Sequence, residues 1–162
     1  NAWAAGLNVA GITGWRLPRI VDPGNDGCLN TYQFSGTDCG YSVDTSTGEM
    51  AAMYYDALGN IAQFNTSGSP NPPSVPWGLT NTGPFTNLLA AAYWSQTASV
   101  SNLAWGFNFS PGSQGFNANS LEFYAWAVRD GDVAASIVPV PAAGWLLGSA
   151  LVAMGAARRR SR

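Results

Sequence analysis

The chain contains no histidine and no lysine, and only 10% of its 162 residues are charged. Histidine is the usual general base near neutral pH and the commonest metal ligand, so any chemistry would fall to carboxylates, tyrosines and two cysteines. No Ser-His-Asp set, zinc-ligand spacing or phosphate-binding glycine loop occurs. A non-catalytic protein without a cofactor is therefore expected. The seven basic residues are all arginines, and four of them (Arg158, Arg159, Arg160 and Arg162) close the chain. The remaining three, Arg16, Arg19 and Arg129, face nine acids, so the body carries a net charge of −6 although the whole chain carries −2. That balance argues against nucleic acid and other polyanions as partners.

Glycine, asparagine, serine and threonine are abundant instead, with 12% aromatic residues. This is the composition of loop-rich exported β proteins with polar, uncharged surfaces, and it holds enough apolar side chain for one core. The only cysteines, Cys28 and Cys39, lie in a Gly- and Asn-rich stretch. A disulfide is the natural inference outside the cytoplasm. A redox pair or metal thiolates are the alternative, and the absence of a C-x-x-C spacing speaks against them.

The last 25 residues read as a sorting address. Val138-Pro139-Val140-Pro141 precedes an uncharged apolar run, 142–157, and then the arginine cluster. Sixteen helical residues span about 24 Å, which reaches a transmembrane length once the Pro-Val segment is added and the arginines snorkel. The positive-inside rule places the arginines in the cytoplasm and the body across the membrane. The opposing reading, a buried C-terminal core helix, fits poorly with three adjacent arginines. The chain opens on Asn1-Ala2-Trp3 in the middle of a helical pattern, so the start is expected to be incomplete, with an export signal upstream.

Along the body, apolar spacing predicts a short helix over 3–7. A second helix over 47–58 carries an apolar stripe of Met50, Met53, Tyr54, Ala57 and Leu58, a capping box from Ser46 and Glu49, and a stop at Gly59. Segment 22–40 reads as a long stapled loop, and 67–76 as an exposed Pro-rich one. The final third predicts aromatic-rich strands at 93–95, 104–109 and 121–129, with a turn at 110–113 leading to a partner segment around Phe116. Trp105, Phe107 and Phe109 alternate towards one face, whereas 123–128 is apolar on both faces and reads as a central strand.

Trp3-Ala4, Gly14-Trp15-Arg16-Leu17-Pro18, Gly48-Glu49-Met50, Asn81-Thr82-Gly83-Pro84-Phe85, Tyr93-Trp94-Ser95, 104–109 and 125–129 together resemble the Lcl C-terminal domain family. The resemblance covers 1–132, with 133–137 as a linker and 138–162 as the tail. The tail resembles a PEP-CTERM sorting signal, with Val140 in place of the usual glutamate. The resemblance implies an α+β domain of C-type-lectin-like character, a small, mainly antiparallel sheet with one or two helices. It further implies an exosortase partner, transient anchoring in the inner membrane, and release or display at the bacterial surface, in the company of exopolysaccharide. One relative in that family binds glycosaminoglycans, a ligand the negative body of this chain does not favour.

Ligand-binding candidates are few. Asp22, Asn25, Asp26 and Asp38 carry oxygen ligands suited to Ca²⁺, but Gly24 and Gln33 break the EF-hand pattern, and turn formation explains these residues more simply. Lectin-type Ca²⁺-mediated sugar binding would need a Glu-Pro-Asn loop. The nearest match, Ser69-Pro70-Asn71, lacks the carboxylate. Trp77, beside the Pro-rich loop, is the preferred exposed ring for stacking on sugar, with burial as its alternative, whereas Trp15, Trp94, Trp105 and Trp126 are expected in the core. Arg16 and Arg129 need anionic partners if buried, with Glu49, Asp130 and Asp132 available. The sequence thus predicts an exported, polysaccharide-binding surface or matrix protein. Its alternative is a subunit that self-associates into an extracellular fibre or layer. Intact mass of protein recovered from the medium tests the tail: termination near Pro141 is expected, and an uncut Arg162 terminus would refute processing.

Overall fold

The computed structural model describes residues 2–23, 34, 37–99 and 102–131. The chain divides after Asp130 into two units, and of the second only Gly131 is described. The sorting motif, the apolar run, the arginine cluster, Asp132, Cys28, Asn25 and Asp26 all lie outside the described residues. Within those residues, no helix is long and apolar enough to cross a membrane.

The first unit is a small α+β domain. Helix α1 is Ala2–Ala5, β1 is Gly40–Tyr41, and a 3-10 turn at Thr45–Thr47 leads into α2, Glu49–Ala52. The helix then widens into a π turn, Met53–Ala57. Strands β2 (Ala92–Ala98), β3 (Leu103–Asn108), β4 (Ser113–Ala118) and β5 (Tyr124–Ala125) complete a five-stranded sheet of order β1-β4-β3-β2-β5. All neighbours are antiparallel except β2 and β5, which run parallel.

The expected alternation holds: Trp105, Phe107 and Phe109 are all buried. They meet the helix through Tyr54, whose ring lies 5.3 Å from Phe107 and 5.6 Å from Phe109, and Met50 and Ala51 fill the adjoining space. Offset and edge-on ring pairs of this kind add about 1 kcal/mol each to the area they bury. Gly106, between these rings, is set by proximity. A Cβ there would stand 2.7 Å from the Tyr93 carbonyl oxygen, so only glycine lets β3 lie this close to β2.

Several expectations are corrected. The helix begins at Glu49 rather than Thr47, and Ser46 and Glu49 form no capping box. Instead Asp44 caps the 3-10 turn, its Oδ1 accepting from the Ser46 amide at 2.9 Å. Glu49 is taken by Arg16, whose Nη1 and Nη2 donate to Oε2 and Oε1 at 2.7 and 2.6 Å. A bidentate, charge-assisted pair is stronger than a single bond from a backbone amide to a capping carboxylate, so the ion pair takes the carboxylate. The π turn, closed by the Leu58 amide on the Met53 carbonyl, inserts one residue into the stripe. Tyr54 and Leu58 therefore stay buried while Ala57 faces solvent.

Nor does 121–129 form a central strand. Only two residues pair, at the edge of the sheet, and Val128 then pairs with Arg16 in an isolated bridge. Each face has one ring partly covered: Phe123 stacks on Trp94 at 4.3 Å, and Trp126 packs against Phe109 at 5.7 Å, whereas the paired residues Tyr124 and Ala125 are exposed. Of the four tryptophans expected in the core, only Trp105 is fully enclosed, whereas Trp15, Trp94 and Trp126 are half-buried. Trp15 spends its indole N–H on the Ile12 carbonyl at 2.9 Å. Cys39 is buried and disulfide-bonded.

Arg16 also pairs with Asp130, so one guanidinium ties the start of α2 to the last residue of the unit. Hydrogen bonding from Arg16 holds Glu49 and Asp130 below the usual carboxylate range, and Glu49 also accepts from the Arg19 amide at 2.7 Å. Depressed carboxylates add stability above their unfolded pKa and lose it as pH falls through the folded value. Melting temperature should thus drop between about pH 5 and pH 3, and less steeply in Glu49→Gln. Parallel pH profiles for the two proteins would refute the clasp.

Candidate functional site

Between β2, β5 and the loop that precedes β2 lies a cavity of about 370 Å³. Its walls are Pro84, Phe85, Leu88, Tyr93, Ala125 and Trp126, with Thr86 and Asn87 as the polar members. Phe85 and Trp126 meet edge to face at 5.2 Å, and Tyr93 lies 6.2 Å from Trp126. None of the lining residues is charged. Small-ligand sites begin at about this size.

The loop that forms one wall has no periodic pattern, so its position is set by hydrogen bonds. Asn60, buried just past the end of the helical segment, accepts on Oδ1 from the amides of Thr80 (3.0 Å) and Asn81 (2.8 Å). Its Nδ2 donates to the Asn81 carbonyl at 2.9 Å. Asn81 in turn donates to the Leu58 carbonyl at 2.8 Å and accepts from the Gly83 amide at 2.9 Å. Gly83 takes a positive φ of 54°, which turns the chain into Pro84 and Phe85. At the far end the Leu89 amide donates to the Tyr93 hydroxyl at 3.0 Å, so a pocket ring also fixes the loop's return to the sheet. Among the described residues no side-chain partner engages Thr86 or Asn87, and both are exposed. Their hydrogen-bonding groups are available to a ligand.

The residues singled out in the sequence lie elsewhere. Trp77 is 39% exposed but does not line the cavity. Asn71 is structural: its Nδ2 donates to the Ala62 carbonyl at 2.7 Å and its amide to that of Gln63 at 2.8 Å. Asp38 is half-buried, and its carbonyl accepts from Gln114 at 2.8 Å. Asp22 is half-buried, and Asn25 and Asp26 lie outside the described residues. Among the described residues no three Asp, Glu, Cys or His side chains come together as a metal-holding group. Arg129 is exposed.

Phe85, Thr86, Asn87 and Leu88 are not among the ligand-binding candidates of the sequence, which places Tyr93 and Trp126 in strands, the latter also in the core. The available signal was a segment apolar on both faces, 123–128, beside a loop of turn formers ending in an aromatic ring. No family model, curated protein or solved structure matches this chain. The site is read on its own chemistry.

Replacing Asn60 by alanine leaves two amides and a carbonyl without their side-chain partner, in a part-buried place. Loss of about 2–3 kcal/mol is expected from urea unfolding, together with a red shift of tryptophan emission as the Phe85 wall leaves Trp126. An unchanged midpoint and spectrum would show that the loop is held by other means.

Proposed function

We propose that this chain is an exported, non-catalytic protein of the bacterial surface or matrix, and that its body binds neutral polysaccharide in the Phe85–Trp126 cavity. The observation that carries the reading is an aromatic-walled, uncharged concavity with two unengaged polar side chains at its rim. Pyranose rings present one face of C–H groups, which packs on aromatic rings, and hydroxyls that need donors and acceptors such as Asn87 and Thr86. A carboxylate- or sulfate-bearing polymer would find no cation in the lining and a body of net charge −6.

The finer fold reading, a C-type-lectin-like domain of the Lcl C-terminal kind, rests on the sequence blocks quoted above. It accords with a small, mostly antiparallel sheet joined by long irregular segments. The PEP-CTERM-like tail supports export, handling by an exosortase and transient residence in the inner membrane. Self-assembly into a fibre or layer is the lesser reading. Both outer strands, β1 and β5, are only two residues long, a poor template for edge-to-edge pairing.

A glycan array including the host's own polymer tests the proposal. Binding to neutral glycans is expected, weakened about tenfold in Asn87→Ala and more in Phe85→Ala, with Trp77→Ala as the comparison. Wild-type protein that binds no glycan, or ordered polymers under electron microscopy, would overturn it.

A further inference from the structure

We propose that the cavity is one subsite of a longer platform and that Tyr124 is the next. The protein then takes a run of at least two neutral sugar rings rather than a single terminal one. This deepens the polysaccharide reading and rests on it.

Tyr124 is 52% exposed, although β5 places it directly opposite buried Tyr93 in the parallel pair. Their rings lie 5.6 Å apart, and the Tyr93 ring also lies 6.2 Å from Trp126 in the cavity wall. Tyr124 and Trp126 therefore flank one ring, which links the cavity wall to the solvent-exposed edge. Among the described residues β5 is the last strand at this end of the sheet order. Leu89, 46% exposed, follows the cavity residue Leu88. An isolated exposed tyrosine needs no explanation, but one that continues a concave site of three rings does.

Charge and size select the occupant. The lining is neutral, which suits an uncharged polymer, and a cavity of about 370 Å³ lies near the lower end for small ligands. A single uncharged ring offers little apolar area, so useful affinity requires a second stacked ring beside the first. In a linear polysaccharide that ring is covalently supplied, and its stacking adds to binding without a second loss of translational freedom.

The test uses the full body on neutral oligosaccharides graded from one to six rings. Affinity should rise steeply from one ring to two or three and then level. Tyr124→Ala should lower affinity for three-ring ligands about tenfold while leaving one-ring binding unchanged, and Tyr124→Phe should retain the wild-type profile. Melting temperatures of both variants check folding. Wild-type binding that is independent of length, or a Tyr124→Ala loss equal at every length, overturns the platform while leaving the polysaccharide reading intact. Absence of binding at all lengths overturns both. A Tyr124→Ala change confined to the oligomeric state overturns the platform in favour of a contact between copies.

Discussion

Backbone groups that irregular segments carry into an interior must be paired, and in this chain uncharged side chains pair them. Strands and helices account for a small part of the described residues, so the ladders that normally satisfy amides and carbonyls are largely missing. Thr97 supplies both halves of one substitute: its Oγ1 accepts from the Ile20 amide at 3.0 Å and donates to the Ile20 carbonyl at 2.7 Å. Tyr55 accepts from the Ser42 amide and donates to the Gly112 carbonyl at 2.6 Å. Buried Gln114 bridges β4 to the Asp38 carbonyl and to Thr47. Each net contribution is about 1 kcal/mol, but each group left unpaired would cost more, and for that reason the surplus of Asn, Gln, Ser, Thr and Tyr is structural before it is functional.

The cavity follows from this arrangement. The interior can seat only so many rings, and once Trp105, Tyr54, Phe107 and Phe109 fill it, the aromatics of β2 and β5 form its outer shell. Asn60 and Asn81 bring the Phe85 loop to the same edge, leaving a space between loop and sheet that side chains do not fill. The result is a wall held from three directions: by ring packing on Phe109, by the parallel pairing of β5, and by the loop's hydrogen bonds. Such support on rigid elements keeps a binding geometry fixed without charge.

Features set by local periodicity were legible in the sequence. The Trp105, Phe107, Phe109 alternation, the stop at Gly59 and the turn between β3 and β4 depend on neighbours in the chain. The pairing of Arg16 with Glu49 and Asp130 was legible as well, because an isolated cation among apolar residues has few possible partners. What escaped was set across distance. A capping box at Ser46 and Glu49 is a sound local pattern, overridden by an arginine 33 residues away. Apolar residues on both faces of 123–128 fit a central strand equally well as an edge strand with one ring packed on each side, and only the tertiary partners, Trp94 and Phe109, decide between them. The cavity loop had no period to read because its conformation is imposed by Asn60 from outside it.

Charge economy links the fold to the ligand class. Of the three body cations, Arg16 is committed to Glu49 and Asp130, and Arg19 lies 3.6 Å from Asp130. The Arg19 pair is exposed on both sides and contributes little to stability, but it helps neutralise Asp130. Among the described residues Arg129 has no ion-pair partner, one exposed cation on a body that carries nine acids. A polyanion is held by several cations acting together, and this surface cannot assemble them. Under the proposed polysaccharide reading, recognition relies on shape, stacking and neutral hydrogen bonds, the resources found at the edge of β5 and in the Phe85 loop.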